Sequence, residues 1–173
     1  MKIPGATMTL SRRLSLFLLA APLALSAHAA DVKRYAIPGS DFPIASAVEI
    51  PAGKTTIYLS GKVPAVADPA APKDSMEAFG DTKTQTISVL TQIKQQLEGM
   101  GLGMKDVVKM QAFLVGGPEN GGKMDFKGFM EGYTQFFGKD AKQMNLPARS
   151  AFQIAALGNP GMRIEIEVVA VRP

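Results

Sequence analysis

Between residues 126 and 137 the apolar side chains fall at a spacing that only a helix can turn to one side. Phe126, Phe129, Met130, Tyr133, Phe136 and Phe137 stand at i, i+3, i+4, i+7, i+10 and i+11. Asp125 is placed to cap the start of this helix and Gly138 to end it. A stripe so rich in aromatic rings has to be buried against a second layer. The stripe is therefore read as core, and the chain must also contain the sheet or helices that cover it.

A second helix follows the same logic. Asp81 can cap it, Ile87, Leu90, Ile93 and Leu97 recur at three- and four-residue spacing, and Gly99 offers a stop. The rest reads as strands. Ile44 to Ile50 and Thr55 to Leu59 flank the turn residues Pro51-Ala52-Gly53, which predicts a hairpin. Val107 to Val115 and Ala148 to Ala156 are two more strands. In a last strand, Met162 to Val171, Ile164, Ile166 and Val168 alternate with Arg163, Glu165 and Glu167, giving one apolar and one charged face. Residues 31 to 41 read as an extended arm, and 63–78 and 116–123 as loops. The resulting order, ββαβαββ, predicts an α+β fold with a mixed sheet and both helices on one face. Two helices cannot cover both sides of such a sheet. The other side must be polar or packed against further subunits, and oligomerisation is the expectation.

The first 29 residues stand apart. Lys2, Arg12 and Arg13 precede an apolar stretch from Leu14 to Leu25, and Ala27-His28-Ala29 has the small-x-small pattern of a signal-peptidase site. The stretch is shorter than the roughly 20 residues needed to span a bilayer. A cleaved secretory leader is expected, of Sec type, since the residues after Ser11-Arg12-Arg13 fit the twin-arginine pattern poorly. Residues 30–173 then form a single domain, periplasmic or secreted, with no membrane attachment.

Cleavage changes what chemistry is open. The 19 Lys and Arg fall to 16 against 15 Asp and Glu, so the basic excess that would favour nucleic acid nearly vanishes. The only histidine, His28, leaves with the leader, and the chain has no cysteine. Ser-His-Asp triads, Cys-His dyads, disulfides and thiolate or imidazole metal sites are excluded on these grounds. What remains is Arg, Lys, carboxylates, hydroxyls, backbone groups and water.

Several segments carry a family resemblance. Leu146-Pro147-Ala148-Arg149-Ser150, with Arg163-Ile164-Glu165-Ile166-Glu167-Val168 and a close at Val171-Arg172, resembles the C-terminal signature of the RidA (YjgF/YER057c/UK114) family. Leu59-Ser60-Gly61 with Val63-Pro64 is similar to its N-terminal element, and Tyr133, Phe136 and Phe137 to the end of its second helix. The resemblance runs from about Pro43 to Arg172. It implies a chorismate-mutase-like homotrimer with clefts between subunits and no metal or organic cofactor. It also implies hydrolytic deamination of reactive 2-enamine and 2-imino acids to 2-oxo acids and ammonia.

On that resemblance, Arg149 and Glu165 are the candidate catalytic residues. A planar guanidinium presents paired donors that match a carboxylate, which makes Arg149 the substrate anchor. Glu165 would orient and deprotonate water, and backbone around Ser60 and Gly61 would receive the nitrogen. Ile44 and Ala151 complete the expected substrate-binding set. They stand, with Met130, where active members of the family commonly carry Tyr, Cys and Asn, so the pocket is expected to be drier and to suit a bulkier or more apolar acid. A non-enzymatic carboxylate-binding or protective protein using the same cleft is the alternative. Ribonuclease action, also attributed to some members, is disfavoured by the near-neutral charge and missing histidine.

Overall fold

The computed structural model describes residues 1, 2 and 31–173. All but the first two residues of the leader assigned to 1–29 lie outside the described residues. Among those described, the order is βββαβαββ: β1 (Lys33–Ala36), β2 (Ala45–Glu49), β3 (Thr56–Lys62), α1 (Thr82–Gly99), β4 (Val107–Val115), α2 (Phe126–Tyr133), β5 (Ala148–Ile154) and β6 (Ile164–Val171). The strands form one mixed sheet in the order β1-β2-β5-β4-β6-β3. β4 is central, parallel to β5 and antiparallel to β6.

Two expectations about strand pairing need correcting. The arm at 31–41 contains a true edge strand: β1 pairs antiparallel with β2, Lys33 opposite Glu49. The Arg34 side chain fastens it, donating to the carbonyls of Leu146, Lys105 and Val107 at 3.2, 3.0 and 3.2 Å. The expected hairpin is also absent. β2 runs parallel to β5 (Ala45 opposite Ala148), while β3 pairs with β6 (Thr56 opposite Val171), three strands away. The turn at Pro51-Ala52-Gly53 bends the chain, but long-range packing chooses each strand's neighbour.

Alternation defines the two sides of the sheet. Met110, Ala112 and Leu114 of β4 and Ile164, Ile166, Val168 and Ala170 of β6 are buried, whereas Lys109, Gln111, Phe113, Glu165, Glu167 and Val169 lie on the other side, half-exposed. The buried side receives α1, through Val89, Leu90, Ile93 and Leu97, and α2, through Phe129 and Tyr133. Among the described residues the opposite side carries no helix, and Tyr58 there is 79% exposed. As expected, two helices leave that face open.

Both helix caps are where the sequence puts them. Asp81 accepts from the Thr84 N–H at 2.8 Å and Asp125 from the Gly128 N–H at 2.8 Å. The ends differ. α1 runs through Gly99 and turns at Gly101, whose φ of 72° is the left-handed conformation of a helix stop. α2 ends at Tyr133, after which Gln135 and Phe136 donate to residues three back, and tight turns carry the stripe on to the buried Phe137.

Arg163, expected on the charged face, is only 7% exposed and precedes β6. Its Nε donates to Glu119 at 2.6 Å and Nη1 to the Pro160 carbonyl at 2.8 Å, while its backbone N–H donates to the buried Gln85 side chain at 2.7 Å. Gln85 also donates to the carbonyls of Gly80 and Gly161, at 2.7 and 3.0 Å. The start of α1, the approach to β6 and the 116–123 loop are thereby joined.

The hydrogen bond from Arg163 holds the Glu119 carboxyl below the usual carboxylate range. Stability from this pair is fully present above about pH 4.3, the ordinary glutamate value, and is lost as pH falls through the lower folded value. Urea unfolding at pH 7 and pH 3 should therefore show wild type losing more stability over that interval than Glu119→Gln. Equal losses in the two proteins would remove the pair from the account.

Candidate functional site

Arg149 owes its surroundings to register. It lies opposite Met110 in the parallel β4–β5 pair, so its side chain rises on the helix-covered side of the sheet, under α2. Its Cζ is 4.3 Å from the ring centroid of Tyr133, 4.9 Å from Phe129, 5.4 Å from Phe42 and 6.0 Å from Phe126. Phe126, Phe129 and Tyr133 form one face of α2, and Phe42 comes from the segment before β2. That segment is held to α2 by the Tyr133 hydroxyl, which donates to the Pro43 carbonyl at 2.8 Å.

Each ring attracts the cation by about 0.5–2 kcal/mol, depending on desolvation. The rings do not satisfy all of its N–H groups. Nη1 is buried without a hydrogen-bond partner among the described residues. Burial lowers the guanidinium's pKa, with Tyr133 opposing, yet arginine remains charged across the physiological range. Burial raises the pKa of the Tyr133 hydroxyl, against the pull of Arg149, keeping it a neutral donor.

Ala151, two residues along β5, shares the face of Arg149, and Ile44 follows Pro43; both are half-buried against the core. Next on that face is Gln153, whose amide spans the loop leading into α2. Its Oε1 accepts from the Met124 N–H and its Nε2 donates to the Gly122 carbonyl, both at 2.9 Å.

Glu165 is elsewhere. It lies opposite Phe113 in the β4–β6 pair, and Phe113 and Met110 are three residues apart on an unbroken stretch of β4. Glu165 therefore projects from the open face, where it lines a shallow groove with Phe113, Ile154, Leu157 and Glu167. Gly61 lies directly over it, where the β3–β6 register slips between Leu59 and Lys62. Ser60 borders a neighbouring cleft with Lys109, Gln111 and Glu167. The expected site residues thus form two groups, Arg149 with Ile44 and Ala151 on one side and Glu165 with Ser60 and Gly61 on the other. Within one chain the sheet separates them.

Sequence reasoning missed the rings as partners of the arginine. Phe126, Phe129 and Tyr133 were legible as one face of a helix, but nothing local to them, or to Phe42, shows that a cation lies beneath. Among the described residues no group of three His, Cys, Asp or Glu side chains is placed to hold a metal ion.

Comparison with known proteins bears on these two clusters. Residues 32–172 match the family described as Endoribonuclease L-PSP. The chain belongs to the RidA/YjgF/L-PSP family. It is 31% identical over 135 residues to the human 2-iminobutanoate/2-iminopropanoate deaminase, covering 78% of this chain and 84% of that protein. It is 30% identical over 135 residues to the Escherichia coli protein named "Putative reactive intermediate deaminase TdcF", covering 78% and 91%. The crystal structure of E. coli TdcF with bound serine superposes with a TM-score of 0.52 at 28% identity, covering 82% of this chain and 98% of that one. The α+β fold of this chain, a six-stranded mixed sheet with two helices, matches that RidA/YjgF-family structure.

The contact between Gly61 and Glu165 can be tested directly. A Cβ at residue 61 would overlap the Glu165 carboxylate, the free end of a flexible side chain that can swing away. Gly61→Ala is expected to keep its stability within about 1 kcal/mol while displacing that carboxylate. A crystal structure of the variant with Glu165 unmoved would contradict this.

Proposed function

We propose that this protein hydrolyses reactive 2-imino acids and their 2-enamine tautomers to 2-oxo acids and ammonia. The observation that carries the proposal is the Arg149 guanidinium: charged, ring-walled and holding a buried N–H with no acceptor among the described residues. A substrate carboxylate is the acceptor that fits it. Two deaminases among the relatives, one named for 2-imino acids, support the same reading.

The reaction is R–C(=NH)–COO⁻ + H₂O → R–CO–COO⁻ + NH₃. Arg149 holds the carboxylate through charge-assisted hydrogen bonds and so fixes the imine carbon. Glu165 draws a proton from water as its oxygen bonds to that carbon. The C=N π pair moves to nitrogen, which receives that proton from Glu165; the carbinolamine hydroxyl proton then passes to nitrogen as the C–N bond breaks, releasing ammonia and leaving the carbonyl. Backbone groups at Ser60 and Gly61 receive the nitrogen. No cofactor enters the scheme.

Because Arg149 and Glu165 lie on opposite faces of one sheet, this chemistry calls on two subunits. In the proposed homotrimer the Glu165 cluster on the open face of one subunit meets the neighbouring subunit on the side that carries the ring-walled arginine. The proposal also places the protein outside the cytoplasm, with residues 1–29 removed. An exported amino-acid oxidase or dehydrogenase would be a source of the imine.

A carboxylate-binding protein without turnover is the second reading, favoured by the fact that one chain alone presents an anchor without a base. RNA cleavage draws less support, since the mature chain has near-balanced charge and no histidine.

The assay is the decay of an imine released by an amino-acid oxidase, followed with purified protein. Wild type should accelerate it; binding of 2-oxo acids without acceleration would select the second reading. Arg149→Ala should lower kcat/KM by about 100-fold or more, with Arg149→Lys between, because an ammonium cannot match both carboxylate oxygens. Glu165→Gln should lower kcat by about 100-fold with little change in KM. Refolding Arg149→Ala together with Glu165→Gln should restore part of the activity. A mixture as inactive as its components would place both groups in one subunit's site. Edman sequencing of the periplasmic protein should begin at Ala30; an intact Met1 there would overturn the leader.

A further inference from the structure

We infer that the acids this site takes carry bulky apolar or aromatic side chains rather than the methyl, ethyl or methylene groups of the smallest 2-imino and 2-enamine acids. The inference rests on the deaminase reading for its reaction, and on the side chains packed around Arg149 for its content.

Tyr133 and Phe129 are fully buried beside the guanidinium and form its inner wall. Phe42 and Phe126, also against it, are 39% and 38% exposed. They come from separate parts of the chain, and each has ring surface left to cover. Ile44, just before β2, and Ala151 on β5 are apolar and half-buried. The Tyr133 hydroxyl, a polar group on these walls, already donates its proton to the Pro43 carbonyl.

An acid whose carboxylate docks on Arg149 therefore meets rings and methyl groups along the rest of its length. A small or polar side chain would leave Phe42 and Phe126 uncovered, or lose its own water without a replacement hydrogen bond. A side chain of leucine, methionine or phenylalanine type would cover them. Each further methylene taken from water is worth roughly a fourfold preference, so three or four extra carbons give roughly tenfold or more even when burial is partial.

The test compares imines generated in place from alanine, 2-aminobutyrate, leucine, methionine and phenylalanine by a broad L-amino-acid oxidase, with the full-length mature protein. The expected result is a kcat/KM at least tenfold higher for the leucine, methionine and phenylalanine imines. Phe42→Ala and Phe126→Ala should drive that ratio towards one, whatever they do to absolute rates. Both rings are partly exposed, and thermal melting is recorded to show that the variants are folded. A wild-type ratio at or below one overturns the inference and leaves the deaminase reading standing. A ratio that survives both substitutions overturns the assignment of these rings. Acceleration of none of the imines defeats the deaminase reading itself. Calorimetric titration then decides the size preference alone, with 4-methyl-2-oxopentanoate and phenylpyruvate expected to bind at least tenfold more tightly than pyruvate. Equal or weaker binding overturns it.

Discussion

The contact between the Arg149 guanidinium and the aromatic face of α2 is the interaction on which the rest of this protein turns. The rings of Phe129 and Tyr133 do two things at once: they fill the space between helix and sheet, and they wall a cation. Cation–π attraction offsets part of the cost of bringing the charge out of water. It leaves the hydrogen-bonding demand of Nη1 unmet, and an unpaired buried donor costs about 1–3 kcal/mol, more when charged. An ordinary structural arginine would resolve this with a carbonyl or carboxylate from its own chain, as Arg34 does with three backbone oxygens and Arg163 with Glu119. Arg149 has neither. Its unmet demand is the physical basis for expecting an external carboxylate.

The sheet imposes a second constraint. Residues on one strand alternate sides without exception unless a bulge intervenes. Between Met110 and Phe113 β4 has none, so the partners of those residues, Arg149 and Glu165, are assigned to opposite faces by the backbone alone. No side-chain rotation carries a carboxylate through a sheet. Any chemistry using both groups has to find them on different copies of the chain, and the helix-free face bearing Glu165 and the 79%-exposed Tyr58 is the surface another copy would cover. Two observations, an uncovered face and a divided site, thus support the proposed assembly of more than one copy.

What was legible in the sequence was whatever depends on local spacing. The aromatic stripe, the caps at Asp81 and Asp125 and the alternation of Ile164, Ile166 and Val168 each lie within a dozen residues, where period and side-chain chemistry decide the outcome. The hairpin expectation failed because two β-branched runs around a turn look the same whether they pair with each other or with distant strands. β1 went unread because four residues beginning Lys-Arg at a sheet edge carry almost no apolar signal. Arg163 read as a surface charge because its partners, Glu119 and Gln85, are 44 and 78 residues away. For the site, motif resemblance singled out Arg149 and Glu165. Each one's parity could be read within its own strand, but their relative face needed the register of β4 between them.

Residues remote from Arg149 also decide where its walls stand. Phe126 is the first residue of α2, so the pocket's outer wall depends on how the chain enters that helix. The entry is held on one side by Gln153, which sits two residues beyond Ala151 on the face of β5 that carries Arg149, and whose amide grips Gly122 and Met124. It is held on the other by the Arg163–Glu119 pair, fixed in turn to the start of α1 through Gln85. Asp125 then caps the helix one residue before Phe126. The loop from 116 to 124 is thus tied to the strand that bears the arginine and to the helix packed beside α2. Arginine and ring keep their spacing because both are referred to the same strand, β5, one through its own backbone and the other through the amide of Gln153.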